Sequence, residues 1–176
     1  MANTYIKIAT ATVGVGGAVS MDFTSIPSTY TDLLIKISAR TNRIGQSVDS
    51  LKLTFNGATT SFSNRGVGAD TNAGTCFSFT NGGSASIEDS VFTAATNATA
   101  NTFGSGEIYI PNYTGSNNKS TSGDSASENN AAQAYMLLTA GLWASSAAIT
   151  SIKLAPLGGT LIAQYSTATL YGISNS

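Results

Sequence analysis

The chain has 176 residues, with eight Lys plus Arg against nine Asp plus Glu and a formal charge of -1, so no basic surface for tracking phosphates is expected and nucleic acid is not a predicted partner. It is 41% hydrophobic but only 10% charged, where an average soluble domain carries roughly 25% charged residues, so its abundant Ser, Thr and Asn must supply the solubility that charge does not. The length suits one domain spanning 1–176 with a single core, and no run approaches the roughly 20 apolar residues that would cross a bilayer, so no membrane partner is expected.

Lys7 interrupts the first apolar stretch and 13–19 is too glycine-rich for a signal peptide, so synthesis in a cytoplasm without export is expected. The first predicted strands are 5–12 and 18–23. The clearest alternation covers 32–40, with Leu33, Ile35, Ile37 and Ala39 on one face and Lys36, Ser38 and Arg40 on the other. Residues 50–55 repeat it, with Leu51, Leu53 and Phe55 inward, and Asn56-Gly57 then supplies a pair suited to a positive-φ turn. These two stretches are expected to pair in one sheet. Polar 61–72 reads as a loop before a strand at 75–80, whose apolar run should carry Cys76 inside as a buried free thiol; one cysteine allows no disulfide within the chain.

A loop at 81–84, a strand at 86–93 and a loop at 93–101 follow. In the strand 103–110, Ile108 and Ile110 share one face and Glu107 and Tyr109 the other, and Pro111 ends ladder donation, leaving Tyr113 in a loop at a sandwich end. The stretch 114–130 is polar and of low complexity, reading as loop, although 119–126 also has strand character. Residues 128–142 contain good helix formers in the alanines, Gln133, Met136 and Leu138. Thr139, Gly141 and Trp143 weaken a helix there, and the alternation of Tyr135, Leu137 and Thr139 with Met136, Leu138 and Ala140 predicts a strand over 134–142, central and covered on both faces. Trp143 should anchor the core near that strand's end. Strands at 151–155 and 161–171 complete the set, with Tyr165 and Tyr171 on one face of the last. Ten or so short strands without a helix between them describe an all-β antiparallel sandwich or barrel, and among these a jelly roll fits the length and strand count best.

Chemistry finds little to work with. The chain has no histidine, which removes the imidazole base of Ser-His-Asp and Cys-His mechanisms, and with one cysteine it offers no set of ligands for a transition metal. Glycoside hydrolysis needs only two carboxylates, and Glu88, Asp89, Glu107, Asp124 and Glu128 are the candidates, with Glu88 and Asp89 expected on opposite faces of an extended strand. Asp124, Glu128, Asn129 and Asn130 carry oxygens of the kind calcium accepts, but without EF-hand spacing, and read as a solvated loop. Gly14, Gly16 and Gly17 lack the rest of a dinucleotide fingerprint, and the sequons at Asn97, Asn112 and Asn118 are what a chain this rich in Asn, Ser and Thr produces by chance. No cofactor, metal or catalytic residue is assigned, and the chain is expected not to be an enzyme.

A set of phrases points elsewhere. Residues 107–116 read EIYIPNYTGS, followed by Asn118-Lys119, Asp124-Ser125, Glu128-Asn129-Asn130-Ala131, Ala140-Gly141-Leu142-Trp143, Ala148-Ile149-Thr150-Ser151-Ile152, Tyr165-Ser166-Thr167 and Leu170-Tyr171-Gly172-Ile173. Phe23-Thr24-Ser25-Ile26-Pro27, Tyr30-Thr31-Asp32-Leu33 and Asn56-Gly57 extend the pattern toward the amino terminus. Together they resemble small structural proteins of tailed bacteriophages, particularly phages of aquatic bacteria. The resemblance implies a virion protein without enzymatic activity, made in the host cytoplasm. It is equally compatible with a capsid decoration and with a tail or fibre module. Because the chain is short and shows no separate attachment domain or coiled stem, the expectation is a capsid decoration or cement protein on the capsid surface, bound to the major capsid protein. A homotrimer is expected from the capsid's local symmetry and the charge-poor surface. The alternative is a tail or fibre module whose loops 61–72 and 114–130 touch host surface glycans; a third reading, a carbohydrate-active enzyme, would rest on Glu107 or Glu128.

Overall fold

The computed structural model describes residues 4–71, 74–128 and 133–174. Among these residues there is no helix and there are twelve strands: β1 (Tyr5–Thr12), β2 (Met21–Phe23), β3 (Asp32–Ala39), β4 (Val48–Phe55), β5 (Phe62–Asp70), β6 (Thr75–Ser84), β7 (Ile87–Ala94), β8 (Gly104–Ile110), β9 (Lys119–Ser127), β10 (Tyr135–Trp143), β11 (Ile152–Pro156) and β12 (Thr167–Ile173). They form an eight-stranded antiparallel sheet in the order β1-β12-β3-β8-β9-β10-β5-β6 and a four-stranded one in the order β2-β11-β4-β7.

The strand order identifies the architecture. β1-β12-β3-β8 faces β2-β11-β4-β7, and β1 to β4 alternate between the two sheets, as do β8, β11 and β12, which is the wrapping of an eight-stranded jelly roll. Two hairpins are inserted into it. β5–β6 lies between β4 and β7, β9–β10 between β8 and β11, and both join the same edge of the larger sheet as a four-stranded extension.

The expected alternations fix which side chains meet between the layers. Leu33, Ile35, Ile37, Ile108, Ile110 and Leu170 from the large sheet interleave with Met21, Phe23, Leu51, Leu53, Phe55, Val91, Ile152 and Leu154 from the small one. Each such side chain contributes about 1.5–3 kcal/mol on burial, which makes this contact the main source of stability. Trp143 closes the last turn of β10 against Phe55 and Phe62, with ring centroids 5.7 and 6.0 Å away, and is 6% exposed, as its predicted anchoring role requires. β7 presses so closely on the large sheet that a Cβ on Gly123 would stand 2.3 Å from the Ser90 carbonyl oxygen, and one on Gly104 2.6 Å from the Thr93 Cα. Only glycine permits that approach.

Several expectations are corrected. β3 and β4 do not pair: β3 lies between β12 and β8, and β4 between β11 and β7, because the jelly roll sends consecutive strands to opposite sheets. The presumed loop 61–72 contains β5, and 81–84 is the end of β6. Much of 114–130 is β9, so its strand character prevails over its polarity. β5 has weak intrinsic preference, with Asn64, Gly66 and Gly68 in its middle; it is held by β10 and β6, whose Phe79 and Phe77 rings fill the space above the two glycines. The helix-or-strand ambiguity resolves as strand β10, but not one covered on both faces: Met136 and Leu138 are exposed. The last strand begins only at Thr167, and Tyr165 lies before it in a turn with φ of 71°, exposed, so it shares no strand face with Tyr171.

Candidate contact surfaces

Two surfaces stand out, and both are built by the topology. The first is the outer face of the large sheet, which the small sheet does not cover. Pairing register lays its residues in rows across the strands. One row runs Thr169, Lys36, Glu107, Asp124, Leu138, Val67, Ser78; the next runs Thr167, Ser38, Ser105, Ala126, Met136, Ala69, Cys76. Where the extension begins, the rows turn apolar: Val67 is 56% exposed, and Met136 and Leu138 are each 61% exposed. They line an open groove of about 700 Å³ whose rim carries Lys36, Glu107 and Asp124. Burying that apolar area in a contact releases ordered water, whereas leaving it bare is uncommon on a monomer.

Lys36 and Glu107 form an ion pair across β3 and β8. Further along the same face, the Tyr109 hydroxyl donates to Asp32 Oδ2 at 2.7 Å, which pushes the phenol up to about 12. Arg65, opposite Ala140, and Asp124, opposite Leu138, flank β10 on its two sides, and neither has a charged partner among the described residues.

The second surface is one end of the sandwich. The β1–β2, β3–β4, β7–β8 and β11–β12 connections all emerge there, and three of them carry bare apolar tips: Val15 and Ile44 at 89% exposure, Val19 and Tyr165 at 70%. Hydrogen bonds stitch these loops together. Ala18 and Ile162 exchange backbone bonds of 2.9 and 2.7 Å, Tyr165 N donates to Val13 O at 2.9 Å, and Asn42 N donates to Leu161 O at 3.0 Å.

Side chains complete the scaffold of this crest. Asp49, wholly buried, accepts from Gly158 N (3.0 Å), Gly159 N (2.9 Å) and the Thr41 hydroxyl (2.7 Å), while Asn42 Oδ1 accepts from Thr160 N and Leu161 N. Arg40 donates to the carbonyls of Ala98, Thr99 and Thr102, so the β7–β8 loop is held by one guanidinium, whose burial draws its pKa down. None of Asp49, Asn42 and Arg40 was singled out from sequence. Their shared signal, polar residues just beyond or at the mouth of a strand facing a Gly-Gly or Thr-rich loop, is too common to stand out.

The predicted candidates fall at separate places in the fold. Glu107 and Asp124 do come together, directly opposite each other on β8 and β9, at the groove's rim. Neither is buried, and Glu107 is held by Lys36. Asp89 sits at a positive φ of 47° where the β4–β7 ladder slips register, and its carboxylate accepts from the Ser50 hydroxyl, while the Glu88 carbonyl accepts from Asn64. Asp124 and Glu128 are four residues apart along extended chain, about 13 Å, too far to share an ion. Asn129 and Asn130 lie outside the described residues. No group of three metal-ligating side chains occurs among the described residues, and no helix there is long and apolar enough to cross a membrane.

Cys76 is exposed, not buried, because β6 is an edge strand whose Phe77 and Phe79 take the inner side and leave Cys76 on the outer face. Tyr113 does sit at a sandwich end, but its ring is fully buried and its hydroxyl donates to the Pro27 carbonyl. Gly14, Gly16 and Gly17 form the turn that carries Val15, and Asn97, Asn112 and Asn118 lie exposed in connections. No protein-family model, no curated protein and no solved structure matches the chain.

Proposed function

We propose that this chain is a non-enzymatic structural protein of a bacteriophage virion, a decoration or cement protein that coats the head lattice as a homotrimer seated on the major capsid protein. The observation that carries the reading is the crest: four large apolar side chains, each at least 70% exposed, held on three loops that are hydrogen-bonded to one another. A fixed apolar edge of this kind acts by burying area, and repetition on a symmetric shell multiplies a modest contact through avidity. The resemblance of its sequence phrases to small phage structural proteins points to the same setting.

The tail or receptor-binding alternative relied on 61–72 and 114–130 as free loops. Within them, β5 takes Phe62–Asp70 and β9 takes Lys119–Ser127, whose backbone groups are committed to the sheet, so these stretches give that reading less support. Quantitative mass spectrometry of purified particles is the direct test. The proposal expects hundreds of copies per particle, and a Val15→Ser, Ile44→Ser, Tyr165→Ser variant that folds normally but is lost from heads. A count in the tens or fewer would move the protein to the tail, and full retention of the triple variant would remove the crest from the interface.

A further inference from the structure

We infer that copies of this chain pack against one another through the outer face of the large sheet, with β10 at the centre of the contact. The inference rests on the proposed function only for the number of copies, three; the surface itself is argued from its own chemistry.

The crest and this face are separate surfaces, so a lattice contact through one leaves the other bare. Val67, Met136 and Leu138 gain most from being covered, and they sit mid-face, flanked by polar rows, as the apolar centre of an interface sits within its polar rim. Five strands from β8 to β6, about 4.8 Å apart, over nine residues of about 3.4 Å each give a footprint on the order of 700 Å² per copy, which a closed ring divides between two neighbours.

Charge indicates that the occupant is another copy of the same chain. Arg65 stands on the β5 side of the apolar centre and Asp124 on the β9 side, each exposed and without a charged partner among the described residues. Across from Asp124, Glu107 is already paired with Lys36, so Asp124 is the carboxylate of that row with no cation opposite it among the described residues. A neighbour that lays its β5 side over this chain's β9 side brings Arg65 to Asp124, and each copy offers both halves. The same complementarity recurs at every contact of a closed ring. A partner of either uniform charge would satisfy one side and repel the other.

Light scattering and sedimentation of the purified full chain test this away from any particle. Wild type is expected at three times the single-chain mass of 17.9 kDa. Met136→Ser with Leu138→Ser is expected at the single-chain mass with an unchanged far-ultraviolet spectrum, since both positions face solvent in the isolated fold. Arg65→Asp alone and Asp124→Arg alone should each weaken association about tenfold or more, and the double swap should restore it. A wild type that stays at 17.9 kDa at high micromolar concentration overturns the inference. So does an oligomer indifferent to the swaps. Loss of the protein from heads with intact, swap-sensitive trimers would instead refute the proposed function and leave this interface standing.

Discussion

Replacing Asp49 with Ala should destabilise the protein more than any other single change at the crest. The carboxylate is wholly buried and receives the Gly158 and Gly159 amides and the Thr41 hydroxyl at 2.7–3.0 Å. Removing it leaves two backbone N–H groups and a hydroxyl facing a void, each costing about 1–3 kcal/mol when unsatisfied. Partial relaxation brings the sum to about 3–5 kcal/mol, the range for breaking a buried charged partner. Arg43 lies 3.6 Å away with 40% of its side chain exposed, so screening leaves it a minor contributor. At about 2–4 °C per kcal/mol, the midpoint should fall by roughly 10 °C. Asp49→Asn is the sharper variant. Both oxygens accept a backbone N–H, so either orientation of the amide points an NH₂ at a donor, and about half the loss should persist. Urea unfolding followed by Trp143 fluorescence gives both values. An Ala variant within about 1 kcal/mol of wild type, or an Asn variant as stable as wild type, would refute the assignment of Asp49 as the crest's staple.

Other outcomes follow from the same geometry. Because Tyr109 is raised to about 12 by its bond to Asp32, ultraviolet titration should show a tyrosine ionising near 12, and Asp32→Asn should bring it back toward 10. Since the folded value exceeds the unfolded one, the stability from this bond is fully present below pH 10 and lost as pH rises toward 12; a titration unchanged by Asp32→Asn would contradict it. Gly123→Ala places a methyl 2.3 Å from the Ser90 carbonyl and should cost about 2–3 kcal/mol or prevent folding, whereas Gly14→Ala, with nothing near, should change stability by no more than about 0.5 kcal/mol in the same urea assay. Trp143→Ala should cost about 3–5 kcal/mol by circular dichroism, since it empties the centre of the Phe55–Phe62–Trp143 cluster. Arg40→Met should speed hydrogen exchange at 96–102 while leaving β3 protected; uniform protection would show that the loop does not depend on the guanidinium.

Period-2 patterns were legible wherever one face met the core: Leu33, Ile35, Ile37 and Ala39 in β3, and Leu51, Leu53 and Phe55 in β4, are buried as read. Asn56 and Gly57 take φ of 52° and 69° at the predicted turn. Partner choice was not legible, because alternation says which way a side chain points and nothing about which strand lies beside it; hence β3 and β4 were paired wrongly. β5 escaped notice because its glycines become strand only under the rings of Phe77 and Phe79 on β6, a compensation spread over two segments. The two-faced apolar run of β10 was read correctly as a strand and incorrectly as covered. Sequence registers that Met136 and Leu138 are apolar, not that they point to the face of β10 turned away from the small sheet, where they line the groove. The crest was equally hidden: Val15, Val19, Ile44 and Tyr165 lie far apart in the chain and meet at one end only through the jelly-roll connections.

An electron cryomicroscopy reconstruction of the intact particle addresses the central claim most directly. The account predicts density for this chain across the head surface, three copies about each local axis, with the Val15, Ile44 and Tyr165 tips against the shell and the β10 faces turned toward one another. Finding the sandwich only at the tail, or on the head with its loop tips pointing into solvent, would contradict it.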